Sequence, residues 1–103
     1  MLGVSFSVVD FLGDGLKMKR KGRLVAQIHT KGKSAHAGSP EEGINAIDEL
    51  IWQLSQIKKL HNQQRTVNIG LISGGEKSNI VPDSASATLD FRYWKKTDQD
   101  KIL

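Results

Sequence analysis

Few side chains in this sequence join reactivity to a setting that exposes it. His36 lies in a run of small residues, Gly32-Lys33-Ser34-Ala35-His36-Ala37-Gly38. An imidazole there is either an exposed loop histidine or a hydrogen-bond donor presented at neutral pH. Asn79 follows the double glycine Gly74-Gly75 and precedes Pro82; its amide either closes a turn on its own backbone or reaches a ligand. Arg92 stands two positions beyond Asp90, on the same side of an extended segment. It offers a planar bidentate donor to a carboxylate, or pairs with Asp90, and the two roles are compatible. Asp10 sits inside an apolar stretch, where a carboxylate at a strand end or a turn cap accounts for it. His29, on the polar side of a strand, and His61, near a helix end, read as solvated or dipole-compensating.

The elements that must position these groups are legible from period and punctuation. Val4 to Val8 alternates with period two, as a half-buried strand does. Gly13-Asp14-Gly15 reads as a turn, Leu16 to Lys21 as a short basic strand, and Gly22 as a second turn. From Arg23 to Thr30, Leu24, Ala26, Ile28 and Thr30 share one face, and Gln27, His29 and Lys31 fall on the other. Ser39-Pro40-Glu41-Glu42 carries the signals of a helix start: a capping serine, proline at the first position and a capping-box glutamate. Apolar residues at Ile44, Ile47, Leu50, Ile51, Leu54, Ile57 and Leu60 continue the stripe, so the pattern predicts one helix from about Ser39 to Leu60, roughly 31 Å long.

Thr66 to Ile72 reads as the next strand, with Val67, Ile69 and Leu71 inward. In the last strand, Ala85, Ala87, Leu89, Phe91 and Tyr93 face the core, opposite Ser86, Thr88, Asp90, Arg92 and Trp94. Thr97-Asp98-Gln99-Asp100 resembles the opening turn of another helix. The order is that of an α+β, ferredoxin-like split β-α-β sandwich, an antiparallel sheet with a long helix on one face. Its closing helix and strand are expected to be truncated, and Val4 to Val9 is a strand able to fill the gap, in cis or by exchange.

Composition narrows the class. The 103 residues allow one core, with 38% hydrophobic and 25% charged residues, the ordinary globular range. No apolar run approaches the roughly 20 residues of a membrane-spanning helix. The N-terminus lacks the basic leader and cleavage pattern of a signal peptide. Zero cysteines remove disulfides and thiolate chemistry and are compatible with a cytoplasmic setting. The net charge of +4 fits an anionic small molecule or a nucleic acid. Base-stacking aromatics are missing from the Arg23 to Thr30 segment, and Asp90 stands on the polar face of the last strand. The cluster Lys17, Lys19, Arg20, Lys21 and Arg23 therefore reads as a solvated, edge-protecting strand, not an RNA-binding surface.

Taken in order and spacing, the glycine-flanked His36 loop, the Ser39 cap with Gly43-Ile44-Asn45-Ala46, Gly74-Gly75 with Ser78-Asn79-Ile80-Val81-Pro82, and Asp90-Phe91-Arg92 resemble one family. It is the dimerisation, or lid, domain of the dizinc metallopeptidases that include glutamate carboxypeptidase, aminoacylase, acetylornithine deacetylase and succinyl-diaminopimelate desuccinylase. The resemblance runs from Gly22 to Arg92. It divides the chain into residues 1–15, the end of a catalytic-domain segment or a linker, and residues 16–103, the dimerisation domain, incomplete at its C-terminus.

The resemblance also implies roles. His36 would donate to the oxyanion in the partner subunit's active site, as water attacks the scissile carbonyl. Asn79 and Arg92 would contact substrate, Arg92 at a carboxylate. Asp10 falls where the family places a metal-binding carboxylate just before this domain. Two zinc ions serve the parent enzyme's catalytic domain, and none is expected on this chain, which shows none of the usual ligand spacings. The parent would be a cytoplasmic, homodimeric amidohydrolase of peptides or N-acyl amino acids, with no nucleic-acid or membrane partner, and the isolated chain inactive. Pairing would be isologous, through Thr66 to Ile72 and the helix from Ser39 to Leu60. The alternatives are a stand-alone amino-acid-binding regulatory dimer and, behind it, an RNA-binding module.

Overall fold

The computed structural model describes residues 3–12 and 21–94. Six strands and one helix follow in the order β1 (Gly3–Leu12), β2 (Lys21–Lys31), β3 (Ala35–His36), α1 (Ala46–Lys58), β4 (Arg65–Gly74), β5 (Ile80–Val81) and β6 (Ser84–Trp94). Four of them form an antiparallel sheet in the order β1-β2-β6-β4, and β3 pairs with β5 in a separate two-stranded ladder. The α+β architecture, an antiparallel sheet with a helix on one face, is the one the sequence implies. The turn at Gly13 to Gly15, most of the basic strand from Leu16 and the helix opening at Thr97 lie outside the described residues.

Alternation along the two central strands builds the core. Ala26, Ile28 and Thr30 of β2 are buried with Ala85, Ala87 and Leu89 of β6, while the intervening residues face away. Alanines at these positions keep the sheet surface low, so α1 packs close. It contributes Ala46, Leu50 and Leu54, and Val67 of β4 completes the cluster. Thr30, fully buried, satisfies its hydroxyl by donating to the Ala46 carbonyl at 2.7 Å, which fastens the start of the helix to the sheet. Among the described residues, no helix is long and apolar enough to cross a membrane.

The helix is shorter than its apolar stripe. Pro40–Glu42 forms only a 3-10 turn, Ser39 makes no side-chain cap, and Gly43 is extended at φ −124° and ψ 179°. The chain breaks there because Ile44 pairs with Lys33 through two backbone hydrogen bonds of 2.9 Å, a contact that helical geometry at Ile44 would forbid. The cap is Asn45, whose side-chain oxygen accepts the Asp48 N–H at 2.9 Å. Thirteen residues then span about 20 Å at 1.5 Å each. At its far end Lys58 Nζ donates to the Val67 carbonyl at 3.1 Å, and the Val67 N–H donates to His61 Nδ1 at 3.2 Å. His61 is thus an acceptor tying helix to strand, a role its position alone did not reveal.

Two further expectations are corrected. Gly22 is not a turn but a residue of β2, opposite Tyr93. A Cβ at Gly22 would overlap the Tyr93 ring, so the glycine serves close packing of an aromatic across the ladder. Leu71 does not face inward: the register of β4 shifts between Ile69 and Leu71, leaving Leu71 opposite Thr88 and 68% exposed. Val67 and Ile69, before the shift, do face the core. The strand expected from Val4 to Val9, in cis or by exchange, lies in cis here, β1 pairing with β2 from Gly3↔Lys31 to Leu12↔Arg23.

Gly32, where β2 leaves the sheet, is the most closely packed of the described glycines. A Cβ there would run into the Ile44 carbonyl oxygen and its carbon, both backbone atoms. Gly32→Ala is expected to lower stability by about 1–3 kcal/mol, the usual range for forced overpacking. Urea denaturation should show a lower midpoint with an unchanged slope. Gly3→Ala, which meets nothing within 4 Å, is the control and should leave the midpoint in place.

Candidate functional site

His36 is held by backbone on both sides and left exposed at its tip. Upstream, Gly32 N–H donates to the Asp83 carbonyl at 2.8 Å, and Lys33 is bridged to Ile44. His36 itself pairs with Ile80, and Ala37 N–H donates to the Asn79 carbonyl at 2.9 Å. Downstream, Ser39 N–H donates back to the His36 carbonyl at 2.9 Å. Loop tips normally leave such groups to water; here they are spent on fixing one backbone path.

The ring is oriented as well. The Gly38 N–H donates to His36 Nδ1 at 3.0 Å. A backbone amide can only donate, so Nδ1 is the bare nitrogen and a neutral ring carries its proton on Nε2. The result is an N–H donor on an exposed side chain. Gly38 permits this because a Cβ would sit 3.2 Å from Nδ1.

Asn79 is a close neighbour, its carbonyl accepting from Ala37 and its successor Ile80 pairing with His36. It lies in the turn closed by Ile80 N–H to the Lys77 carbonyl at 3.2 Å. Its side chain is exposed and makes no hydrogen bond among the described residues, so it is not the turn-closing amide of the alternative reading. The loop that leads into the turn starts at Gly75, whose φ of +84° is a left-handed conformation that glycine adopts without strain. Beside it a groove of about 520 Å³ is lined by Ala37, Asn45, Gly75, Lys77, Ser78 and Pro82. His36 and Asn79 thus stand together at one end of the fold, a donor and an amide next to a half-polar groove.

Arg92 is not part of that cluster. It sits near the far end of β6, opposite Arg23 on one side and Thr66 on the other. From Ser84 to Arg92 the strand rises roughly 26 Å at about 3.3 Å per residue. Its Nε donates to Asp90 Oδ1 at 2.7 Å, the same-face pair the spacing predicted. Arg23 joins them: its Nη2 lies 3.0 Å and its Nε 3.1 Å from Asp90 Oδ2. The hydrogen bond from Arg92, followed by the bond and charge of Arg23, holds the Asp90 carboxyl below its ordinary range against the opposing effect of burial. The Arg92 guanidinium is correspondingly pushed up. Arg23 was legible only as one of a basic cluster, because its partner lies 67 residues away in sequence.

Asp10 lies in β1 beyond a register shift, paired with Val25. No group of three or more His, Cys, Asp or Glu side chains able to hold a metal ion occurs among the described residues. Zinc therefore has no fitting site among them.

Comparison with known proteins gives these features a context. Residues 18–103 match the family model for the peptidase dimerisation domain. A probable carboxypeptidase of Paracoccidioides lutzii is 35% identical over 94 residues, covering 78% of this chain and 21% of its own length. A tripeptidase from Staphylococcus aureus superposes with a TM-score of 0.62 at 30% identity, over 80% of this chain and 21% of its own. A putative aminohydrolase from methicillin-resistant Staphylococcus aureus shares the fold with a TM-score of 0.66 at 22% identity, over 93% of this chain and 26% of its own. The chain thus spans about a fifth of the length of the curated relative.

The ion cluster generates a pH prediction. Because the folded-state pKa of Asp90 lies below its ordinary 3.8, the unfolded chain binds more protons in that window. Stability contributed by Asp90 is then fully present above pH 4 and is lost as pH falls through the lowered folded value. Acid denaturation followed by circular dichroism should show this loss in the wild type and a shallower slope below pH 4 in Asp90→Asn.

Proposed function

The chain belongs to the peptidase dimerisation domain family, and from that premise we propose that it pairs subunits and caps substrate in a larger cytoplasmic amidohydrolase of peptides or N-acyl amino acids. Residues 16–103 are the dimerisation domain, and residues 1–15 are the end of a catalytic-domain segment or a linker to it, whose strand β1 lies along β2. The observation that carries the reading is the oriented His36 ring, whose Nδ1 is occupied by the Gly38 N–H. When water adds to the scissile carbonyl, the π pair moves onto oxygen, and His36 Nε2–H donates to the charge that develops there. Asn79, exposed beside it, contacts the same substrate, and Arg92 binds a substrate carboxylate.

His36 acts in trans. A tripeptide is at most about 10 Å long fully extended. It cannot reach from the Ser84 end of β6, where His36 and Asn79 lie, to Arg92 of the same chain, roughly 26 Å along the strand. The surface for pairing is β4, an edge strand, with Leu71 and Ile72 exposed at 68% and 62% and Ile51 and Trp52 exposed on the helix. A homodimer joined along β4 and α1 covers them. Zinc, which resemblance to the dizinc enzymes implies, belongs to the parent's catalytic part. Among the described residues only Asp10 is a candidate ligand, by its place in the sequence.

The full-length enzyme should hydrolyse members of a panel of di- and tripeptides and N-acetyl amino acids; cleavage of none would sink the proposal. His36→Ala should cut kcat about 100- to 1,000-fold with little change in KM, the usual cost of one oxyanion donor. Unchanged turnover would remove the assigned role. Ile72→Asp should convert dimer to monomer in sedimentation velocity and reduce activity in parallel, and a fully active monomer would refute action in trans.

A further inference from the structure

Arg23 and Arg92 face each other directly across the β2–β6 ladder, an arrangement of like charges that is unfavourable by itself. Asp90 lies diagonal to Arg23 and two positions from Arg92, and its two oxygens are divided between them. Oδ1 accepts from Arg92 Nε at 2.7 Å. Oδ2 accepts from Arg23 at 3.0 and 3.1 Å, and Arg92 Nη2 stands 3.5 Å from the same oxygen. The Arg92 guanidinium therefore meets Asp90 with its Nε/Nη2 side edge. Its end edge, formed by Nη1 and the outer N–H of Nη2, makes no hydrogen bond among the described residues and is a second edge able to grip a carboxylate with two parallel bonds.

We propose that Asp90 is a positioning residue that clamps Arg92 by its side edge and turns its end edge toward the single carboxylate of the substrate, with Arg23 anchoring Asp90 from the neighbouring strand. This rests on the reading of Arg92 as a carboxylate ligand, and it adds the reason the arginine points where it does. A free arginine on a half-exposed strand face samples many rotamers; one held at Nε loses that freedom before the ligand arrives, so less is lost on binding. Arg23, the residue opposite, is the second half of the device, because without it Asp90 would be free to swing toward solvent with Arg92 attached. The substrate class it selects is one with one free carboxylate next to the cleaved amide, and an uncharged carboxamide gains nothing from the clamp.

The test compares the best substrate of the panel with its carboxamide in the full-length enzyme. Asp90→Asn is expected to raise KM for the carboxylate substrate roughly tenfold, the loss of one charge-assisted hydrogen bond, with kcat within twofold and the carboxamide unaffected. Asp90→Glu should recover part of the loss. An equal effect on both substrates, or none on either, overturns the positioning role. Failure of the underlying reading looks different: Arg92→Ala would then leave the preference for carboxylate over carboxamide intact. Arginine side-chain NMR on the 103-residue chain checks the clamp apart from activity. The Arg92 Nε–H should exchange slowly in the wild type and fast in Asp90→Asn, and equally fast exchange in both would overturn it.

Discussion

The antiparallel pairing of β2 with β6 is the constraint on which the rest of the molecule depends. It runs from Lys21↔Trp94 to Lys31↔Ser84 with no shift in register. In a strand a slip of one residue exchanges the two faces. Here it would send Ala26, Ile28, Ala87 and Leu89 to solvent and bring Arg92 toward the helix. The side chains buried beneath α1 and the charged row on the opposite face are therefore fixed by one register. Irregularity is left to the outer strands: β1 and β4 each carry a shift, and neither disturbs the central pair.

Each end of that ladder is finished differently. At the Lys31 end the chain leaves the sheet into a loop whose backbone bonds run to Ile44 and to the stretch from Asn79 to Asp83, two separate parts of the sequence. The loop is rigid without being buried, which is what an exposed donor of fixed direction needs. At the Lys21 end the polar groups of Arg23, Asp90 and Arg92 project from the strands themselves. Side chains rooted in a sheet are placed more exactly by register than by contacts, and the Arg23, Asp90 and Arg92 cluster needs only the correct pairing to assemble.

What the sequence discloses, and what it hides, follows from the range of the interactions. The inward and outward faces of residues 24–30 and 85–93 are local consequences of a period of two, and the structure buries Ala26, Ile28, Thr30, Ala85, Ala87 and Leu89 accordingly. The Arg92 and Asp90 pair is likewise local. The helix start is the opposite case: Ser39, Pro40 and Glu42 supply every local signal, yet the bridge between Lys33 and Ile44 breaks the helix and hands the cap to Asn45. Leu71 leaves the inward face because of a register shift in β4, which leaves no mark in the alternation of its own residues. Arg23 reads in the sequence as one of a basic cluster, because only the pairing of distant strands shows that it stands across from Arg92. The nearness of His36 to Asn79 comes from the pairing of β3 with β5, and the orientation of the imidazole rests on the amide of Gly38; no spacing reveals either.

The two ends of the ladder also bear on why pairing would matter to catalysis. β4 runs antiparallel to β6, with Thr66 opposite Arg92 and Gly74 opposite Ala85. The start of β4 thus marks the arginine end, and its finish marks the end that holds His36 and Asn79. Two copies joined along β4 by a twofold axis pair their edge strands antiparallel, so the start of one strand lies beside the finish of the other. The arginine end of one protomer then adjoins the histidine end of its partner. Groups too far apart in one chain to share a short substrate are brought to the same side of the joint by the symmetry alone, twice per dimer. On this reading the sheet acts as a ruler: its length keeps the donor and the carboxylate clamp apart within a subunit, and the antiparallel joint sets them together between subunits.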